Sequence, residues 1–77
     1  MPRFYFHIHG RDGTIQDEEG SNLPDLKAAR AEALSAIREM LAEGLKHGRG
    51  PEERELWIAD RKGKVLVALP FRDAMPI

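Results

Sequence analysis

Two periodicities divide the chain. From Phe4 to His9 apolar and polar residues alternate, with Phe4, Phe6 and Ile8 on one side and Tyr5, His7 and His9 on the other. A period of two marks a half-buried strand. Farther on, Leu26, Ala33, Leu34, Ile37, Met40, Leu41 and Leu45 recur with the period of a helix and lay a single apolar stripe along it. Five alanines, Ala28, Ala29, Ala31, Ala36 and Ala42, strengthen its propensity. Asp25 after Pro24 supplies an N-cap, and Gly48, Gly50 and Pro51 stop the helix. A helix over about 26–46 is roughly 30 Å long, enough to lie across a small sheet.

Turn residues place the remaining strands. Asp12-Gly13 is a strong short hairpin signal, because both central residues of a type I′ turn need positive φ. With that pair as the loop, Arg11 faces Thr14, Gly10 faces Ile15 and His9 faces Gln16. The second strand then covers about 14–17 before the acidic turn Asp17-Glu18-Glu19-Gly20. After the helix, strands over about 55–59 and 64–69 flank Asp60-Arg61-Lys62-Gly63, where Gly63 suits the left-handed position of a type I turn with a bulge. In that register Asp60 faces Lys64, Ala59 faces Val65, Ile58 faces Leu66 and Trp57 faces Val67. Residues 70–77 form a short tail. The expectation is one α+β domain over 1–77 of order ββαββ, with a four-stranded, mainly antiparallel sheet and one helix packed on one face.

The second hairpin is apolar on both sides. Leu56, Ile58, Leu66 and Ala68 fall on one face; Trp57, Ala59, Val65, Val67 and Leu69 fall on the other. One helix covers one face, and a wet apolar face is a patch that monomers rarely tolerate. The sequence therefore predicts a homodimer or a small protein partner, with Tyr5, Trp57, Val65, Val67 and Leu69 at the interface. A tail that folds back over that face is the competing explanation. Small size points the same way. A chain of 77 residues buries only about 60% of its unfolded surface, and with no Cys it has neither disulfides nor thiolate metal sites for support.

Charge narrows the partner. Twelve Lys and Arg stand against thirteen Asp and Glu, for a net charge of −1. Nucleic-acid binding through phosphates normally needs a basic surplus, so nucleic acid is not the expected partner. No segment approaches the roughly 18 apolar residues of a membrane span, and the apolar start is too short for a signal peptide. A soluble, cytoplasmic protein is expected.

Candidate chemistry is sparse. His7 and His9 share a strand face about 7 Å apart, and with Glu18 or Glu19 across the hairpin they form the one metal set worth naming. A polar outer row beside Tyr5 explains the same histidines without a metal. His47 suits a helix C-terminus. Asp12, Asp17, Glu18 and Glu19 lack the spacing of a Ca²⁺ loop and read as solvated turns. Neither Ser21 nor Ser35 sits in a nucleophile setting, and Gly10, Gly13 and Gly20 do not open a helix as a phosphate loop does. Arg61, Lys62 and Lys64 read as a solvated hairpin tip. No catalytic residue, nucleic-acid-binding residue or cofactor is predicted, and the expected role is non-enzymatic.

The start Met1-Pro2-Arg3-Phe4-Tyr5-Phe6-His7, the turn Asp17-Glu18-Glu19-Gly20, Leu23-Pro24-Asp25-Leu26 with Ala28-Ala29-Arg30-Ala31-Glu32-Ala33, and Val65-Leu66 through Leu69-Pro70-Phe71 resemble a family of short alphaproteobacterial proteins catalogued only as a domain of unknown function. That resemblance spans nearly the whole chain and implies no activity. In architecture alone the chain is also similar to the antitoxin partners of bacterial toxin–antitoxin pairs, which would imply a nucleic-acid-associated role. No appended ribbon or helix-turn-helix segment for DNA is expected.

Overall fold

The computed structural model describes residues 1–46 and 53–74. Strands β1 (Arg3–Gly10), β2 (Gly13–Ile15) and β3 (Ser21–Asn22) precede helix α1 (Leu26–Lys46). Strands β4 (Glu55–Ala59) and β5 (Val65–Pro70) follow, and a 3-10 turn covers Phe71–Ala74. The sheet is antiparallel with order β2-β1-β4-β5, and β3 pairs with the start of β1. The α+β class with one helix on one face is the observed architecture.

Helix α1 begins where the Asp25 side chain replaces a missing intrahelical acceptor. Its Oδ1 accepts from Ala28 N–H at 2.8 Å. Ala29, Ala33 and Ile37, spaced by one turn each, are fully buried and carry the helix onto Phe4, Leu56, Ile58 and Leu69. Two alanines in that line let the backbone of the helix approach the sheet closely. Leu26, expected in the apolar stripe, is instead 38% exposed, because the contact line starts a turn later at Ala29. The Leu45 side chain, His47 and the expected stop at Gly48, Gly50 and Pro51 lie outside the described residues.

Both hairpins differ from the expected registers. In the first, Gly10 pairs with Gly13, His9 with Thr14 and Ile8 with Ile15, so Arg11 and Asp12 make the loop. Asp12 does not adopt positive φ; Gly13 does, at 123°. A type I′ pair is thereby ruled out, and the register moves by two residues. An even shift preserves sidedness, so Ile15 stays on the Ile8 side. The second hairpin turns as its sequence indicated: Gly63 has φ 88°, its N–H donates to Asp60 O at 3.0 Å, and Asp60 N–H donates to Lys64 O at 2.9 Å. The Asp60 carboxylate locks this turn by accepting from the N–H groups of Lys62 and Lys64.

Beyond that turn the register shifts. Ala59 pairs with Val65, but Ile58 pairs with Val67, Trp57 with Ala68 and Leu56 with Leu69. Leu66 is the extra residue of a bulge, and an odd insertion exchanges the faces of everything after it. Val67 and Leu69, expected on the open face, therefore point to the helix. Leu69 is buried in the core and Val67 packs against it. The bulge resolves most of the two-sided greasiness that the sequence suggests.

The tail also has a different place. Phe71 and Ala74 are buried, and the 3-10 turn contacts α1, so these four residues close the core on the helix side rather than lying over the open face, while 75–77 lie outside the described residues. Phe71 N–H donates to Arg54 O at 2.9 Å, and the Arg54 guanidinium lies 4.7 Å from the Phe71 ring centroid. Replacing Phe71 by Ala should lower unfolding stability by about 3–5 kcal/mol through cavity formation. A urea titration showing a loss below about 1 kcal/mol would mean the tail is not part of the core.

Candidate interaction surface

The pairing that puts Phe4, Phe6 and Ile8 under the helix sets the alternate residues on the opposite side. There Tyr5 pairs with Ala59, His7 with Trp57 and His9 with Glu55; Trp57 and Ala59 in turn pair with Ala68 and Val65. The two central strands thus carry a row of rings, Tyr5, His7, His9 and Trp57, each half-buried. Val65 at the side of the row is 42% exposed. Of the residues expected at an interface, the structure brings together Tyr5, Trp57 and Val65 and places Val67 and Leu69 on the other face.

Three of these rings, those of Trp57, His9 and His7, each have one polar edge engaged within the subunit. Trp57 Nε1–H donates to Glu55 Oε1 at 2.9 Å. His9 Nδ1 lies 2.8 Å from Thr14 Oγ1, and its ring stacks on Trp57 with centroids 4.2 Å apart. His7 Nδ1 accepts from Asp17 N–H at 3.1 Å, so a neutral His7 carries its proton on Nε2. Tyr5 and His7 lie in nearly parallel planes with centroids 6.4 Å apart. Hydrogen bonds thus hold the rings of Trp57, His9 and His7 in place.

Asp17 is the organising residue of this edge. Its Oδ2 accepts from Phe6 N–H and its Oδ1 from Gly20 N–H, both at 3.1 Å, while its own N–H holds His7. Between β2 and β3 the edge strand leaves β1, and the Asp17 side chain replaces the missing ladder partner. Gly20 has φ 73°, and a Cβ there would come within 2.8 Å of Tyr5 Cε2 and 2.9 Å of Phe4 O. The Asp17-Glu18-Glu19-Gly20 sequence is thus a fitted turn rather than a merely solvated one. Glu18 and Glu19 are exposed, and Glu19 contributes its carbonyl to Arg3 Nε–H.

Among the described residues no group of three or more His, Asp or Glu side chains forms a metal site, so Glu18 does not join His7 and His9 as a third ligand. Arg61, Lys62 and Lys64 are exposed at the β4–β5 turn. Glu55, which anchors Trp57, was not among the expected site residues. Its even spacing from Trp57 was the available signal, since residues two apart on a strand share a face.

A family model, described as a domain of unknown function, matches residues 3–72. The chain belongs to the DUF6894 family. Its match takes in every strand, the helix and the ring row, so the surface described above lies wholly within the DUF6894 domain. Comparison with curated proteins and with solved structures yields no significant match. No helix among the described residues is long and apolar enough to cross a membrane.

Substituting Asp17 by Ala should cost about 1–3 kcal/mol, because two partly buried backbone donors lose their acceptor. Chemical denaturation measures this directly. A variant as stable as the parent would show that Asp17 does not hold the strand edge.

Proposed function

We propose that this DUF6894 protein is a non-enzymatic interaction module that works as a homodimer through the open face of its sheet. The observation that carries this reading is the ring row. Trp and Tyr are the residues most enriched where protein surfaces bind strongly, and here both lie at the centre of a face that the helix leaves bare. No charged or polar side chain is buried among the described residues. None therefore has the desolvated setting that tunes an acid or base for catalysis, which favours binding over chemistry.

Sheet geometry favours the face over the edges. Strand β2 is three residues long, too short to template a further strand. Strand β5 is interrupted by its bulge, preceded by Lys64 and closed by Pro70, all features that blunt an edge. The area sets the strength. Four strands about 4.8 Å apart and five residues of about 3.3 Å give a projected face of about 300 Å². A standard stable interface needs about 800 Å² per partner, so the association falls in the micromolar range rather than below it in Kd.

The rings beside Arg61, Lys62 and Lys64 would also suit unpaired bases of a nucleic acid, which stack on aromatic side chains. Glu53 and Glu55 at the other end of the row, and the net charge of −1, weigh against a phosphate backbone there.

Light scattering over a concentration series should show a mass rising toward twice that of the monomer. Trp57→Ser should return it to the monomer with the helix signal intact. A single monomeric species up to high micromolar protein would overturn the reading.

A further inference from the structure

The open face is electrically polar along β4, and the polarity is centred on Trp57. Glu53 and Glu55 line one shallow depression together with Arg11, Trp57 and His9, so acid outnumbers base there two to one. Arg61 and Asp60 line another together with Trp57, Tyr5, His7 and Val65. Trp57 is the wall between them. Along the chain, Glu53, Glu55, Trp57, Ala59 and Arg61 form an alternating series with Trp57 at its midpoint. Acid stands at one end and base at the other.

Building on the homodimer reading, we propose that the second copy packs face to face with its strands reversed, so that Arg61 of each subunit enters the Glu53–Glu55 depression of the other. A twofold axis in the plane of the interface and perpendicular to the strands produces this overlay. It preserves position across the sheet and inverts position along it, so β4 lies on its own copy and Trp57 meets its symmetry mate. Trp57 pairs with His7 on one side and Ala68 on the other, and these three form the row nearest that axis. Tyr5 then approaches the His9 of the second copy. An isologous contact of this kind closes on itself and makes two equivalent Arg61–acid contacts.

With the axis parallel to the strands, Arg61 would face Arg61 and Glu53 would face Glu53. Like charges at a rim disfavour that alternative. Within the subunit, Glu53 has an ion pair to Arg11 at 3.8 Å, with both side chains mostly exposed. Such a pair is weak and screened, and leaves Glu53 able to accept a second cation. Asp60 beside Arg61 is occupied by the backbone of its own turn. Because the central face is small, these rim charges decide the orientation.

Charge reversal tests the overlay on side chains that are exposed and outside the core. Arg61→Glu and Glu53→Arg should each weaken self-association by about tenfold or more, since each creates two like-charge contacts. The double variant should recover most of the loss, and an equimolar mixture of the two single variants should form a mixed dimer tighter than either alone. Sedimentation at two ionic strengths reads all of these. If Trp57→Ser dissociates the protein while both single reversals leave association unchanged, or if the double variant fails to recover, the reversed overlay is wrong and the face-mediated dimer stands. If the parent protein is monomeric throughout, both fall.

Discussion

One helix lies against one side of a sheet, and most of this molecule follows from that contact. Ala29, Ala33 and Ile37 are buried without residue against Phe4, Leu56 and Ile58. Small side chains on the helix bring its axis close, so larger groups from the strands fill the space between layers at near-crystalline density. A single rod shelters a strip about 10 Å wide. Phe71 and Ala74 extend the shelter at the side of the sheet where β5 ends, and the opposite face of every strand is left to other means.

Sidedness is consequently the property on which the rest depends, and the bulge at Leu66 sets it. Without the extra residue, Val67 and Leu69 would lie on the open face and Ala68 would point to the helix. With it, two branched side chains enter the core and the small Ala68 lies beside Trp57. A bulge next to a tight turn also strengthens the local twist and spoils the free edge of β5 for pairing. One inserted residue thus fills the core, thins the greasy surface and blunts the free edge of β5.

This also explains what could be read from the sequence. The α+β class, the Asp25 cap and the Gly63 turn were legible because each depends on local chemistry: a period, a carboxylate, a residue able to take positive φ. The bulge was not, since Val65-Leu66-Val67-Ala68-Leu69 is apolar throughout and periodicity does not distinguish its two registers. The register of the first hairpin does not follow from sequence because an Asp-Gly pair serves two turn types, and only the φ of Asp12 separates them. Phe71 was assigned to a tail because Pro70 ends a strand; its burial depends on long-range packing against α1. For the candidate surface, Tyr5, Trp57 and Val65 could be found by alternation. Asp17 could not, since its value lies in meeting Phe6 N–H and Gly20 N–H across a gap in the edge strand.

That gap explains how the side chains of the open face are held. A continuous edge strand would pair with β1 from end to end and leave Asp17 without a role. Here the chain departs after Ile15 and returns at Ser21, and the turn between them reaches back to hold Phe6 and His7 while Gly20 admits the Tyr5 ring. Thr14 holds His9 from the same edge, and Glu55 holds Trp57 from the next strand. Rings fixed before contact lose little side-chain freedom on burial, which matters most when the available area is small. A face of about 300 Å² has little to spend on ordering flexible groups. Trp57, His9 and His7 each have one polar edge held within the subunit, and the faces of the rings remain at the surface of the sheet.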